Sequence, residues 1–317
     1  MKEHLLQGLE PDNLLAFLAL LGCLRALEHA EPGWRPRVYW TGMPLRPRLV
    51  LSKEVERAEL LEAVARGAAA LAEVHSFSNR MNVDYTKAEA RRILRNACDE
   101  SDRLAVDLLS SLMSDAAVKA DKVRVTPFCA MFGQGHQNFL ERLERVPKGL
   151  PPKELQKETT AEVLNGQQKL EAALFRSWER TDRTQSFRWD PVEDRRYALR
   201  FEDPSNDKGL TVHGANRLAC LALPLLSAVP MRERGEVRLY ALGTKWENGA
   251  LRVRWPVWSR SASLRSIVMV LACCGVENEF PGFGLFDIYT SERISVGKFF
   301  NFTRASPSGT VKTTSPR

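Results

Sequence analysis

Histidine is scarce in this chain, with five scattered through 317 residues, and no HExxH motif or adjacent His-Asp pair occurs. Zinc-protease and metal-dependent phosphohydrolase chemistry therefore lacks its usual ligand set. There is no GxSxG nucleophile elbow and no phosphate loop of the Walker type, so neither serine hydrolysis nor nucleotide hydrolysis is supported, and no cofactor or bound metal is expected. The six cysteines (Cys23, Cys98, Cys129, Cys220, Cys273 and Cys274) include no CxxC pair. That spacing argues against zinc chelation, and the cysteines read as small core residues of a protein in a reducing cytoplasm. Long hydrophobic runs are missing too: Leu14–Leu24 is nearly all apolar but reaches about half of the roughly 20 residues a membrane span needs. Glu10, Asp12 and Arg25 bound it and no small-residue cleavage site follows, which predicts a buried helix rather than a membrane span or a signal sequence.

What is present supports a sizeable fold. Hydrophobic residues make up 44% of the chain, enough for a large core, and 46 Lys and Arg against 39 Asp and Glu give a moderate formal charge of +7. Arginine outnumbers lysine, which suits bidentate contacts with phosphate, although a G+C-rich coding sequence would produce the same bias. The pattern predicts an α+β fold with a mainly helical lobe over 1–150, a mixed lobe with antiparallel hairpins over 151–305, and a disordered tail over 306–317. Helices are expected from about Asp12 to Ala30, from near Ser52, over Thr86–Asn96, Ser101–Lys119 and Gln134–Val146, from Lys153 to Trp178, over Gly214–Leu226 and over Leu264–Cys273. The first is apolar on nearly every face, so it should be central. Short strands are expected at Arg37–Thr41, Arg48–Leu51, Phe187–Trp189 and Tyr197–Phe201. One hairpin is expected from Val237–Thr244 to Ala250–Trp255 around Asn248-Gly249, a dipeptide that accepts the positive φ angles of a tight turn, and another from Phe286–Thr290 to Ile294–Phe302.

The densest candidate surface is Ser186–Arg217, where Arg188, Arg195, Arg196, Arg200 and Arg217 interleave with Trp189, Tyr197 and Phe201, beside His213 and Asn216. Guanidinium groups bind phosphates and aromatic rings offer stacking faces to bases. The competing use of Trp189 and Tyr197 is as core residues with the arginines merely exposed. Gln134 and His136 lie in FGQGHQNFL, where glycines lead into a helix whose backbone amides can hold a phosphate, or simply cap it. Arg91, Arg92 and Arg95 share one region of a helix and either face phosphate or form a solvated face; Arg142, Arg145 and Lys148 pose the same choice at a helix C-terminus. Asp190, Glu193 and Asp194, with His213, offer oxygen and nitrogen ligands for a magnesium-dependent nuclease, against which stands pairing with Arg195 and Arg196.

Four stretches, LQGLEPDNLLAFLALLGCLRALE at the start, FRWDPVEDRRYALRFEDPS, GANRLACLALP and RWPVWSRSASLRSIVMVL, resemble CRISPR-associated proteins of type I-G loci, formerly called I-U, of the large-subunit or accessory kind. The resemblance implies a non-catalytic cytoplasmic subunit of an RNA-guided effector complex in antiviral defence, with crRNA, target DNA and the other effector subunits as partners. It carries no residue-level assignment. A metal-dependent nuclease and a protein-binding adaptor of the same system are the alternatives.

Overall fold

The apolar run near the start does become the centre of the molecule. The computed structural model describes residues 3–130, 138–151, 156, 159–193, 210–233, 235–273, 283–296 and 299–308. The first half contains β1 (Glu3–Leu5), α1 (Leu14–Ala30), β2 (Arg37–Thr41), β3 (Arg46–Val50), α2 (Arg57–Ala72), α3 (Lys87–Asp99), α4 (Arg103–Leu112), β4 (Val118–Lys119), β5 (Lys122–Val123) and α5 (Phe139–Arg145). The second half adds α6 (Ala161–Asn165), α7 (Gln167–Phe175), α8 (His213–Ala222), β6 (Ala228–Glu233), β7 (Glu236–Ala241), β8 (Thr244–Glu247) and β9 (Ala250–Trp258). It closes with β10 (Ala262–Ser263), α9 (Leu264–Cys273), β11 (Leu285–Val296), β12 (Phe299–Phe302) and β13 (Ser306–Pro307). The fold is α+β, helical mainly in the first half and built of antiparallel sheets mainly in the second.

Helix α1 is buried along nearly its whole length and packs against α2 on one side and α8 on another. An apolar helix with no polar face has no stable place but the interior. Its entry is fixed by Asn13, whose side chain accepts a bond from the Ala16 amide and donates to Asp190 Oδ1 at 3.1 Å. Glycine makes the helix crossings close: a Cβ on Gly22 would stand 1.8 Å from the Leu218 carbonyl oxygen of α8.

Two sheets flank this helical centre. The first runs β1-β3-β2-β10, all antiparallel, so a strand from residue 262 onward completes a sheet begun at residue 3. The second runs β12-β11-β9-β8 with β13 also on β11. Leu251, Val253, Trp255 and Val257 of β9 alternate inward, and Trp255 stacks on Phe17 of α1. One contiguous core joins residues from both sides of position 150, so the two expected lobes share their hydrophobic interior.

Several expectations need correcting. The helix expected to run to Lys119 ends at Leu112, where Met113 turns extended at φ −155° and ψ 164°, and the chain then makes the β4–β5 hairpin through Ala120 and Asp121, both at positive φ. The long helix expected over Lys153–Trp178 is, among the described residues, two short ones broken at Gly166, whose extended ψ of 143° stops α6. Phe187–Trp189 is not a strand, and the turn after it is a short 3-10 segment, Pro191–Glu193. Leu285–Val296 is one strand, so the second hairpin turns later than expected. Ser306–Pro307 pairs with β11 where a disordered tail was expected; 309–317 lie outside the described residues. Cys23, Cys129 and Cys220 are buried as expected of core residues, whereas Cys98 is exposed. No helix among the described residues is long and apolar enough to cross a membrane.

Candidate nucleic-acid interface

Burial decides what the Ser186–Arg217 residues can do. Trp189 is 0% exposed, stacked on Phe187 at 4.5 Å, and its indole nitrogen donates to the Phe128 carbonyl at 2.9 Å. Neither ring face is open to a base, which corrects its reading as a stacking residue. The next residue, Asp190, is equally buried, paired with Arg180 at 2.8 Å and accepting from Asn13. Together with the Trp189 carbonyl, which accepts the Leu15 amide, it seals the N-terminus of α1, where a carboxylate is favoured by the helix dipole. Arg188 bonds Asn301 of β12 at 3.4 Å.

The residues at the start of α8 are also interior. Arg217 is 3% exposed; its Nε donates to the Pro147 carbonyl at 3.0 Å and an Nη to the Asn165 carbonyl at the end of α6. It ties α8 to two chain ends whose carbonyls lack helical partners, and burial lowers its guanidinium to about 10. Asn216 donates to Thr211 Oγ1 at 2.8 Å, and Thr211 Oγ1 donates to Glu193 Oε1 at 2.9 Å. His213, fully buried at the start of α8, has no bond to either ring nitrogen among the described residues; burial pushes it down to about 4. These three are corrected from surface contacts to interior groups: no phosphate reaches them in this arrangement.

The metal-ligand reading fares similarly. Asp190 is taken by Arg180, and Glu193 is held by the Ser186 and Thr211 hydroxyls and pushed up to about 7, chiefly by burial and then by Asp190. Among the described residues no group of three or more His, Cys, Asp or Glu is placed to hold an ion. Asp194, Arg195, Arg196 and Arg200, and likewise Gln134 and His136, lie outside the described residues. Arg142 and Arg145 are partly buried and donate to the Ser186 and Pro151 carbonyls.

The arginines that do face outward are those of α3. This helix starts from a full capping box, Thr86 accepting from the Glu89 amide at 3.2 Å while Glu89 accepts from the Thr86 amide at 2.8 Å. Those bonds, with Arg80 beside it, hold the Glu89 carboxyl below its ordinary range. Lys87, Arg91 and Arg95 are exposed and recur every fourth residue, so they climb one face in steps of about 6 Å, with Arg92 exposed beside them. The β4–β5 hairpin docks at the start of this stripe, since the Lys87 amide donates to the Asp121 carbonyl and Thr86 bridges Lys122. It adds exposed Lys119 and Lys122, paired directly across the hairpin.

Nearby carboxylates are largely taken: Asp115 by Arg91 at 2.8 Å, Asp84 and Glu89 by Arg80, Asp107 by Arg103. Lys87, Arg92, Arg95, Lys119 and Lys122 carry no ion pair among the described residues. Of the remaining acids, Asp121 sits in the turn and Asp99 and Glu100 at the far end of α3.

No family model and no curated protein matches the chain.

The stripe's chemistry is that of a phosphate-backbone contact. Unpaired cations spaced along a rigid element attract a polyanion through displaced counterions, without reading sequence. Among the described residues no exposed aromatic platform accompanies them, the nearby Tyr85 ring being 5% exposed beneath Arg80. The sequence singled out Arg91, Arg92 and Arg95, but the hairpin lysines were hidden because Ala120-Asp121 lacks the Gly or Asn that marks a tight turn. The only signal was that Lys119 and Lys122 flank a two-residue polar break.

Proposed function

We propose that this chain is a non-catalytic nucleic-acid-binding subunit of a type I RNA-guided CRISPR effector complex, working in the cytoplasm, with α3 and the β4–β5 hairpin as its phosphate-contacting surface. The observation that carries the binding part is the set of five exposed cations on two adjoining elements, Lys87, Arg92, Arg95, Lys119 and Lys122, without carboxylate partners among the described residues. Side chains left this way are unneutralised until a polyanion supplies the counter-charge. The effector-complex part rests on the sequence resemblance, with crRNA or target DNA as the polyanion and the other effector subunits as neighbours. The nuclease alternative is weakened because Asp190 is buried and paired and Glu193, a second of its carboxylates, is partly buried and already bonded on both oxygens.

Purification with and without the products of the neighbouring genes, followed by a salt gradient, tests the reading. Co-purifying RNA or DNA that is released steeply as salt rises is the expected result. A protein that assembles with those products yet is free of nucleic acid in both preparations would replace the reading with that of an adaptor.

A further inference from the structure

A cavity of about 380 Å³ opens between α3, α4 and the segment 74–85. Its volume is at the small end of ligand pockets, too small for a docked helix and adequate for one nucleotide. Phe77, Ile93 and Leu108 give it an apolar floor. Along its rim α3 and its C-cap present Arg92, Asn96 and Glu100, one every fourth residue, a line of about 12 Å that runs from cation through amide to carboxylate. All three are exposed, and their side chains have no partner among the described residues. Arg80 on the same wall is different, being tied to Asp84 and Glu89 over the Tyr85 ring. Arg92 therefore belongs both to the cation stripe and to this cavity, so a strand lying on the stripe passes the cavity mouth.

We infer that the cavity receives one unstacked nucleotide of a single-stranded segment, with its phosphate at Arg92 and its base on the apolar floor, and that Asn96 and Glu100 favour a base bearing an exocyclic amino group. The charge order along the rim decides the orientation, since a phosphate is attracted by Arg92 and repelled by Glu100. A carboxylate accepts from the amino group of cytosine or adenine, and an asparagine amide both donates and accepts along the base edge. Thymine and uracil present a carbonyl at the corresponding position and leave Glu100 facing an acceptor. The inference rests on the nucleic-acid reading proposed above and adds to it a base preference that the stripe by itself does not supply.

The test measures equilibrium binding of the full-length protein to three decamers of equal charge: all-cytosine, all-thymine and abasic. Ala105 lines the cavity from α4, so Ala105→Trp places an indole in the space a base would take. Wild type should bind the cytosine decamer roughly tenfold more tightly than the abasic one, the scale of one base burying part of its surface on apolar side chains, with thymine between them. Ala105→Trp should remove the cytosine advantage and leave the salt dependence unchanged. Glu100→Ala, an exposed change that keeps the fold if the larger side chain does not, should bring the cytosine-to-thymine ratio to about one by the loss of that acceptor. Equal affinity of wild type for all three decamers, or a cytosine preference that survives both variants, overturns the cavity assignment and leaves the stripe standing. No binding to any decamer overturns the stripe as well.

Discussion

Glu193 is a carboxyl group held between two hydroxyls, Ser186 Oγ on one oxygen and Thr211 Oγ1 on the other, in a partly buried site. Burial and the charge of Asp190 raise it to about 7, against the pull of those hydroxyls and of Arg188. A folded-state value above the ordinary 4.5 means that the native form binds the proton more tightly than the unfolded chain. Its stabilising contribution is complete below about 4.5 and is lost as pH rises through about 7. His213, lowered to about 4 by burial against the opposing charge of Asp182, has the reverse sign, losing its contribution as pH falls from about 6.5 through 4. Glu193→Gln removes the first effect and leaves the second. Denaturant titrations at pH 4.5 and pH 8 should therefore show the variant gaining on wild type by on the order of 1–3 kcal/mol at the higher pH. A difference that is the same at both pH values would contradict the raised value of the Glu193 carboxyl.

At the scale of elements, the close crossing of α1 and α8 depends on Gly22. Alanine there is the better helix former by about 1 kcal/mol, yet its methyl would meet the Leu218 backbone at 1.8 Å. Gly22→Ala should lower stability by about 1–3 kcal/mol, read as a lower denaturant midpoint at unchanged slope. A raised midpoint would show that the helices separate without cost. Elements whose signal is local were legible from sequence. Leu264–Cys273 forms the expected helix, Arg37–Thr41 the expected strand, and Asn248 and Gly249, both at positive φ, the expected turn of the β8–β9 hairpin. Elements decided by tertiary contact were not. Val237–Thr244 read as one strand, but it divides at Leu242-Gly243, its first part pairing with β6 and its second with β9. The interleaved aromatic and basic pattern at 186–217 suits an outer surface and an interior equally well. Only the docking of Trp189 and Asp190 on the start of α1 decides between them, and that contact links positions some 175 residues apart in the chain.

For the whole molecule, the shared core and the β1-β3-β2-β10 sheet bind the beginning of the chain to its later part, so α3 and α4 are carried on a single interior. That interior uses many of the arginines one would first assign to a surface: Arg217 is nearly inaccessible, and Arg293 is sandwiched between Trp246 and Phe300 and donates to the Pro127 carbonyl. The formal charge of +7 consequently overstates how many cations meet a ligand, and the position of the unpaired ones carries the functional argument. The candidate site was half legible for the same reason. Spacing marked Arg91, Arg92 and Arg95 as sharing a helix face, while the adjoining Lys119 and Lys122 came only with the hairpin fold. The most direct measurement of the central claim is the dependence of nucleic-acid affinity on salt for wild type and for the triple variant Lys87→Gln, Arg95→Gln, Lys122→Gln. If these cations contact phosphates, the variant binds more weakly and the slope of log affinity against log salt shrinks by roughly 2–3 units. A folded triple variant with the affinity and slope of wild type would contradict it.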